Sequence, residues 1–206
     1  MILHTALSEP CQDLADWPLG RRNQALAQVR CSCFGPQLEG WTACPRCHEK
    51  LEVQMDALAL GSPVAQAPVT ITHDGQSFRL PTSRDLALAA LEADLRAAAG
   101  RLMDACHLGE NAPRRWSERE IEEVGERIAM ADPMAEISLV LDCPACGNHW
   151  NESLDIASFL WTEVASRAKR LLREVHAIAS AYGWTEREIL SLSDARRAMY
   201  LEMAGG

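Results

Sequence analysis

Two short stretches of the chain carry the residue types and spacing of metal chemistry: Cys44-Pro45-Arg46-Cys47 and Cys143-Pro144-Ala145-Cys146. A CPxC turn between two strands aims both thiolates at one point and leaves backbone N–H groups facing the sulfurs, the shape of a zinc knuckle. Two such knuckles supply the four ligands of a closed tetrahedral site. The surroundings repeat as well. Leu51, Met55 and Asp56 follow the first motif as Trp150, Leu154 and Asp155 follow the second, and each aspartate stands twelve positions after the first cysteine of its motif. Pairs in one ribbon are usually some 15–20 residues apart, whereas 95 residues separate these. Closing the longer loop costs only ~1.5 kcal/mol more, against roughly 10–16 kcal/mol from a structural zinc in small peptides. The spacing therefore predicts a zinc held by Cys44, Cys47, Cys143 and Cys146 that ties the N-terminal knuckle to the C-terminal half. Four cysteine ligands leave no open coordination position, so the metal is expected to be structural.

Other chemistries were weighed against this one. Cys47-His48 completes a CxxCH haem-attachment pattern, but Gly147 stands where the second copy would need histidine. A redox dithiol favours CxxC at a helix start, and strand-like residues flank both motifs here. Disulfides are disfavoured in a reducing compartment. His48 could replace one cysteine ligand, and Cys31 with Cys33 could form part of a second site or simply be small residues at a helix end. Cys11 and Cys106 have no partner motif. His107 adjoins Cys106, but helical neighbours point about 100° apart, which argues against a catalytic pair. No GxSxG, HExxH, P-loop or GxGxxG pattern occurs, and the sequence offers no positive case for an enzyme or a small-molecule substrate.

The 206 residues carry a net charge of −9 with 48% hydrophobic residues, the composition of a globular chain long enough for a real core. No apolar stretch reaches the ~20 residues of a membrane span, and residues 1–10 lack the basic start of a secretory signal, so the expected compartment is the cytoplasm. Acidity is concentrated in the middle: residues 133–155 hold Glu136, Asp142, Glu152 and Asp155 and no lysine or arginine. That balance disfavours nucleic-acid binding, which needs the opposite charge. Arg167, Lys169, Arg170 and Arg173 form a basic patch, read as a solvated helix face or, alternatively, as a dock for an acidic protein. Trp161, Trp184 and Tyr200 are core residues, or interface anchors if exposed.

Apolar periodicity predicts a helix over 20–33, ended by Gly35 and Pro36, then a strand in which Leu51, Val53 and Met55 face inward. A linker over 60–68 precedes a hairpin turning at Asp74-Gly75. An Ala- and Leu-rich helix is expected from 83 to 108, interrupted at Gly100. Another, opened by the Ser117/Glu120 capping box, ends at Asp132-Pro133. Strands flank the second knuckle, and the longest helix, 156–182, carries a stripe of Leu160, Val164, Leu171, Val175, Ile178 and Tyr182. Gly183 caps it, a Thr185/Glu188 box follows, and Ser193 opens a terminal helix. The fold class is α+β and predominantly helical: a zinc-ribbon-like lobe of two knuckles with short antiparallel strands, plus a helical bundle. The segments are an N-terminal helical part (1–36), the first knuckle (37–57), a hairpin and helical insertion (58–136), the second knuckle (137–155) and a C-terminal helical region (156–206).

The two distant knuckles, LPTSRDL after the hairpin, ADPMAEISLVLDCPACGNHW, DIASFLWTEV and AYGWTEREILSLSDARRAMYLEM together give the chain a family likeness. It resembles the baseplate hub assembly chaperones of T-even-type contractile phage tails, especially members encoded with phage-tail-like contractile injection systems. The likeness covers nearly the full chain and is strongest over 131–203. It implies a non-enzymatic assembly chaperone or structural component of the baseplate hub, acting on a hub or spike protein. Only Cys44, Cys47, Cys143 and Cys146 carry over residue by residue, and many phage members lack the knuckles. The residues proposed to grip the partner are Arg167, Arg170, Trp184 and Tyr200. The alternative is a zinc-ribbon nucleic-acid-binding regulator.

Overall fold

The computed structural model describes residues 3, 14–61, 70–109 and 115–205. It mixes helices with three separate two-stranded antiparallel hairpins. Residues 1–157 and 158–206 form two compact units. Cys11, residues 62–68 of the expected linker and Val69 of the expected hairpin lie outside the described residues.

In the first unit, α1 (Leu19–Phe34) ends where Gly35 takes φ 86° and donates its N–H to the Cys31 carbonyl. The chain then enters β1 (Gln37–Ala43), turns through the first CPxC and returns as β2 (Lys50–Asp56), with Ala43 opposite Lys50. The expected inward face of β2 is found: Leu51, Val53 and Met55 are half-buried and their neighbours exposed. A single helical turn follows, α2 (Leu58–Gly61). The second hairpin joins β3 (Thr70–His73) to β4 (Gln76–Arg79), turning at Asp74 (φ 46°) and Gly75 (φ 74°), the two left-handed residues of a tight turn that suits a twisted hairpin.

One expectation is corrected here. The helix anticipated over 83–108 is two helices, α3 (Ser83–Ala89) and α4 (Leu95–Cys106). Asp94 takes extended backbone geometry and accepts the Ala97 N–H at 2.8 Å, so a side-chain cap restarts the helix there. Gly100, the anticipated interruption, lies inside α4. The Ser117/Glu120 box does open α5 (Glu118–Ala131), which closes at Asp132. Phe78, Met103, Cys106, Trp116 and Val124 form the core between the β3–β4 hairpin, α4 and α5. His107 packs edge-on against Trp116 and at a tilt on Phe78, and burial pushes the Cys106 thiol up to about 11, which disfavours a thiolate nucleophile there.

The third hairpin, β5 (Ser138–Asp142) and β6 (His149–Ser153), surrounds the second CPxC, with Asp142 opposite His149. α1 steers both knuckle hairpins. Its C-terminus leads directly into β1, while its N-terminal turns hold the segment that leads into β5: Gly20 N–H donates to Asp132 at 2.9 Å, and Asn23 donates to the Met134 and Ala135 carbonyls. A Cβ at Gly20 would lie 1.7 Å from Asp132 Oδ1, so a larger residue there would have to displace the Asp132 side chain and its bond to the Gly20 N–H.

The long helix α6 (Ile156–Tyr182) has the expected bounds, and Leu160 and Ile178 of its stripe are fully buried. In the second unit, Gly183 adopts φ 68° and donates to the Ala179 carbonyl, which stops the helix as a left-handed C-cap does. The Thr185/Glu188 box opens α7 (Glu186–Leu190), and α8 (Asp194–Gly205) follows. Arg197 is the buried pivot of this unit, donating to the Leu192 carbonyl at 2.7 Å and pairing with Asp194 and Glu174.

Burial raises the Asp132 carboxyl pKa, and the Gly20 N–H offsets this only in part. A carboxyl whose folded pKa lies above its unfolded value of ~3.9 binds protons more tightly in the native state. Its contribution is therefore complete at low pH and lost as pH rises through the native value. Asp132→Asn keeps an acceptor for Gly20 without the buried charge and is expected to hold stability at pH 7 within ~1 kcal/mol of the parent, with a flatter decline above pH ~4. Asp132→Ala orphans a buried N–H and is expected to cost about 1–3 kcal/mol by urea denaturation.

Candidate metal centre

Each knuckle is built by the same backbone bonds. Cys44 N–H donates to the Glu49 carbonyl and His48 N–H to the Cys44 carbonyl, both at 2.9 Å; Cys143 and Gly147 make the matching bonds to Asn148 and Cys143, also at 2.9 Å. The fifth position of each turn is left-handed, His48 at φ 62° and Gly147 at φ 67°. Glycine meets that demand without strain, whereas His48 is a costlier occupant. The repeat extends to the hairpin ends. Ala57 N–H donates to the Pro36 carbonyl and Leu154 N–H to that of Ile137, while Asp56 caps Leu58 N–H at 2.9 Å as Asp155 caps Ala157 N–H at 3.0 Å. The two aspartates twelve positions after the first cysteines thus end their hairpins in the same way.

The two turns bring four sulfurs together. Cys44 Sγ lies 3.7 Å from Cys146 Sγ, Cys47 Sγ lies 3.5 Å from Cys143 Sγ, and all four are within 4.8 Å of one another. A tetrahedral centre with metal–sulfur bonds of about 2.3 Å places its sulfurs about 3.8 Å apart, so the donor set fits a thiolate metal site. Cys44 and Cys143 are buried, Cys146 is half-buried and Cys47 is exposed. Among the described residues no other group of three or more His, Cys, Asp or Glu residues has this geometry.

Cys44 and Cys47 are shifted in opposite directions. For Cys44, burial acts upward, but N–H groups of Cys47 and Arg46 and the neighbouring thiols outweigh it and bring the pKa down to about 6. For Cys47, the Glu49 N–H acts downward, yet its role as donor to Cys146, Cys143 and Cys44 pushes it up to about 12.

The hairpins are also joined by a polar contact that the motif does not announce. Glu152 Oε2, half-buried on β6, accepts from Trp150 Nε1 at 3.1 Å and from Thr42 Oγ1 of β1 at 3.2 Å. Period-two alternation places Trp150 and Glu152 on one face of β6; that this face meets Thr42 is a fact of tertiary arrangement.

His48 is exposed and stands outside the sulfur cluster, as do Cys31 and Cys33 on α1. Arg167 pairs with Asp194, so its charge is engaged within the second unit, whereas Arg170 is exposed with no ion-pair partner among the described residues. Trp184 and Tyr200 pack against each other, ring centroids 4.8 Å apart, and both against Tyr182. The sequence-proposed gripping residues thus fall into an arginine pair on α6 and an aromatic cluster around Gly183. Trp161 is 52% exposed, which removes it from the core.

Glu152→Ala leaves the Thr42 hydroxyl and the Trp150 indole N–H without their shared acceptor. It is expected to cost about 1–2 kcal/mol, read as a fall in Tm of roughly 2–6 °C, while Glu152→Gln retains most of that stability. No family model, curated protein or solved structure matches this chain.

Proposed function

We propose that the four sulfurs hold a structural zinc, making the two knuckles one zinc-ribbon-like lobe, and that the protein is a non-enzymatic assembly chaperone or structural component of a contractile-tail baseplate hub. The observation that carries the metal reading is the meeting of Cys44 and Cys47 with Cys143 and Cys146 across 102 and 96 positions of chain. An all-cysteine donor set saturates zinc and leaves no position for substrate, so the metal's contribution is to fold and not to reaction. The hub reading is supported by the sequence likeness, and the partner is taken to be a hub or spike protein met in the cytoplasm during assembly. A nucleic-acid-binding ribbon fits less well, since Asp142, Glu152 and Asp155 surround the second knuckle with negative charge. No helix of the described residues is long and apolar enough to cross a membrane.

The grip on the partner is assigned to the second unit, where Arg170 offers a guanidinium with no ion-pair partner among the described residues and Trp184 and Tyr200 are half-buried. Large aromatics and arginine are the side chains that most often anchor protein interfaces.

Elemental analysis of the purified protein is expected to find one zinc per chain. Cys143→Ser is expected to leave less than a fifth of that and to lower Tm by more than ~10 °C, as loss of a folding metal requires. Co-expression with the baseplate hub and spike proteins of a contractile system is expected to yield a stable complex. Removing residues 184–203 should weaken it at least tenfold; a truncated chain that binds as well as the parent refutes the assigned grip. A complex that never forms, alongside salt-sensitive DNA binding at ~50 mM salt, would favour the regulator instead.

A further inference from the structure

Two sulfur–sulfur contacts, of 3.7 and 3.5 Å, run from one knuckle to the other, Cys44 to Cys146 and Cys47 to Cys143. From this we infer that the centre is also an oxidation site, at which a peroxide converts the four thiolates into two disulfides that cross between the hairpins, Cys44–Cys146 and Cys47–Cys143. The inference rests on the metal reading above, because a bound cation is what keeps all four sulfurs deprotonated and close.

Cys47 is the exposed residue of the four, while Cys44 and Cys143 are buried, so the route for a small oxidant is assigned to Cys47. Its thiolate attacks one peroxide oxygen. The O–O bond breaks, hydroxide leaves, and a sulfenic acid forms as the peroxide is reduced. The Cys143 thiolate, 3.5 Å away, then attacks the sulfenic sulfur, forming the S–S bond and expelling the second hydroxide. A second peroxide does the same for Cys44 and Cys146. In total, four thiolates, two peroxides and four protons give two disulfides and four waters. Each disulfide removes two ligands, so the metal is released.

Geometry decides which pairs join. A disulfide needs sulfurs about 2.05 Å apart, so each cross pair must close by about 1.5 Å. One displacement of a hairpin toward the other shortens both pairs together. Joining Cys44 to Cys47, or Cys143 to Cys146, would instead close a bond within a single turn, set by the N–H bonds to the Glu49, Cys44, Asn148 and Cys143 carbonyls, and leave the two hairpins unlinked. The oxidised product would then keep the hairpins fastened without metal, through covalent loops of about a hundred residues that restrict the unfolded chain.

The test uses the full zinc-loaded chain, treated with two equivalents of hydrogen peroxide while a chromophoric chelator reports free zinc. Thiols are then blocked and peptides mapped by mass spectrometry after trypsin, which cuts after Arg46 and so separates Cys44 from Cys47. One zinc released per two peroxides is expected, with the Cys44 and Cys47 peptides both linked to the peptide holding Cys143 and Cys146. The oxidised chain is expected to keep its Tm in excess chelator, where the reduced chain loses more than ~10 °C. Disulfides within the motifs, or four intact thiols after excess peroxide, overturn the inference even if zinc was bound at the start. A chain isolated without metal overturns the metal reading instead, and the disulfide map of that same sample still decides between crossed and local pairs.

Discussion

Four sulfur atoms within 4.8 Å confront a fold with two options: remain protonated and share hydrogen bonds, or give up their protons to a cation. The opposite displacements of Cys44 and Cys47 express that tension, since one thiolate is stabilised at the expense of the proton on its neighbour. Electrostatics alone would drive four thiolates apart, and backbone N–H groups aimed at the sulfurs offset only part of that repulsion.

The framework around it divides the labour. Each hairpin orients its own two sulfurs through a pair of turn bonds that the other hairpin duplicates, down to the left-handed fifth residue and the aspartate that caps the next segment. α1 then sets one hairpin against the other, feeding β1 from its C-terminus and holding the approach to β5 through Gly20 and Asn23. The Glu152 bridge adds a polar contact between the two hairpin faces. The outward faces carry Trp41 and Val140, 72% and 77% exposed, so the hairpins bury only their inner residues and rely on the sulfur centre for much of their mutual hold.

Much of the local structure was legible in the residues. The capping boxes at Ser117 and Thr185, the Asp74-Gly75 turn, Gly183 as a C-cap and the inward alternation of Leu51, Val53 and Met55 each follow from short-range sterics and hydrogen bonding. The helix over 83–108 was misjudged because propensity there favours helix almost throughout, and the break depends on one competing side chain, Asp94, that offers a new N-terminus. Trp161, read as a core residue or an exposed anchor, proves exposed, because a residue's place on a helix does not tell which other faces cover it. Arg197 and Asp132 gave no signal as buried charges, since their partners are set by packing.

The sequence alone determined the two knuckles, their internal repeat and the chemistry of their donor atoms, because a CPxC turn is fixed by bonds reaching no more than a few residues. Tertiary structure decided that the knuckles face each other, that sulfurs of opposite hairpins come within 3.5 and 3.7 Å, and that the Gly20 Cα lies against the Asp132 carboxylate. Those are relations between segments about a hundred positions apart, and nothing in a local pattern encodes a distance across such a loop; only the packing of α1 against both approaches brings it within reach of a metal–sulfur bond.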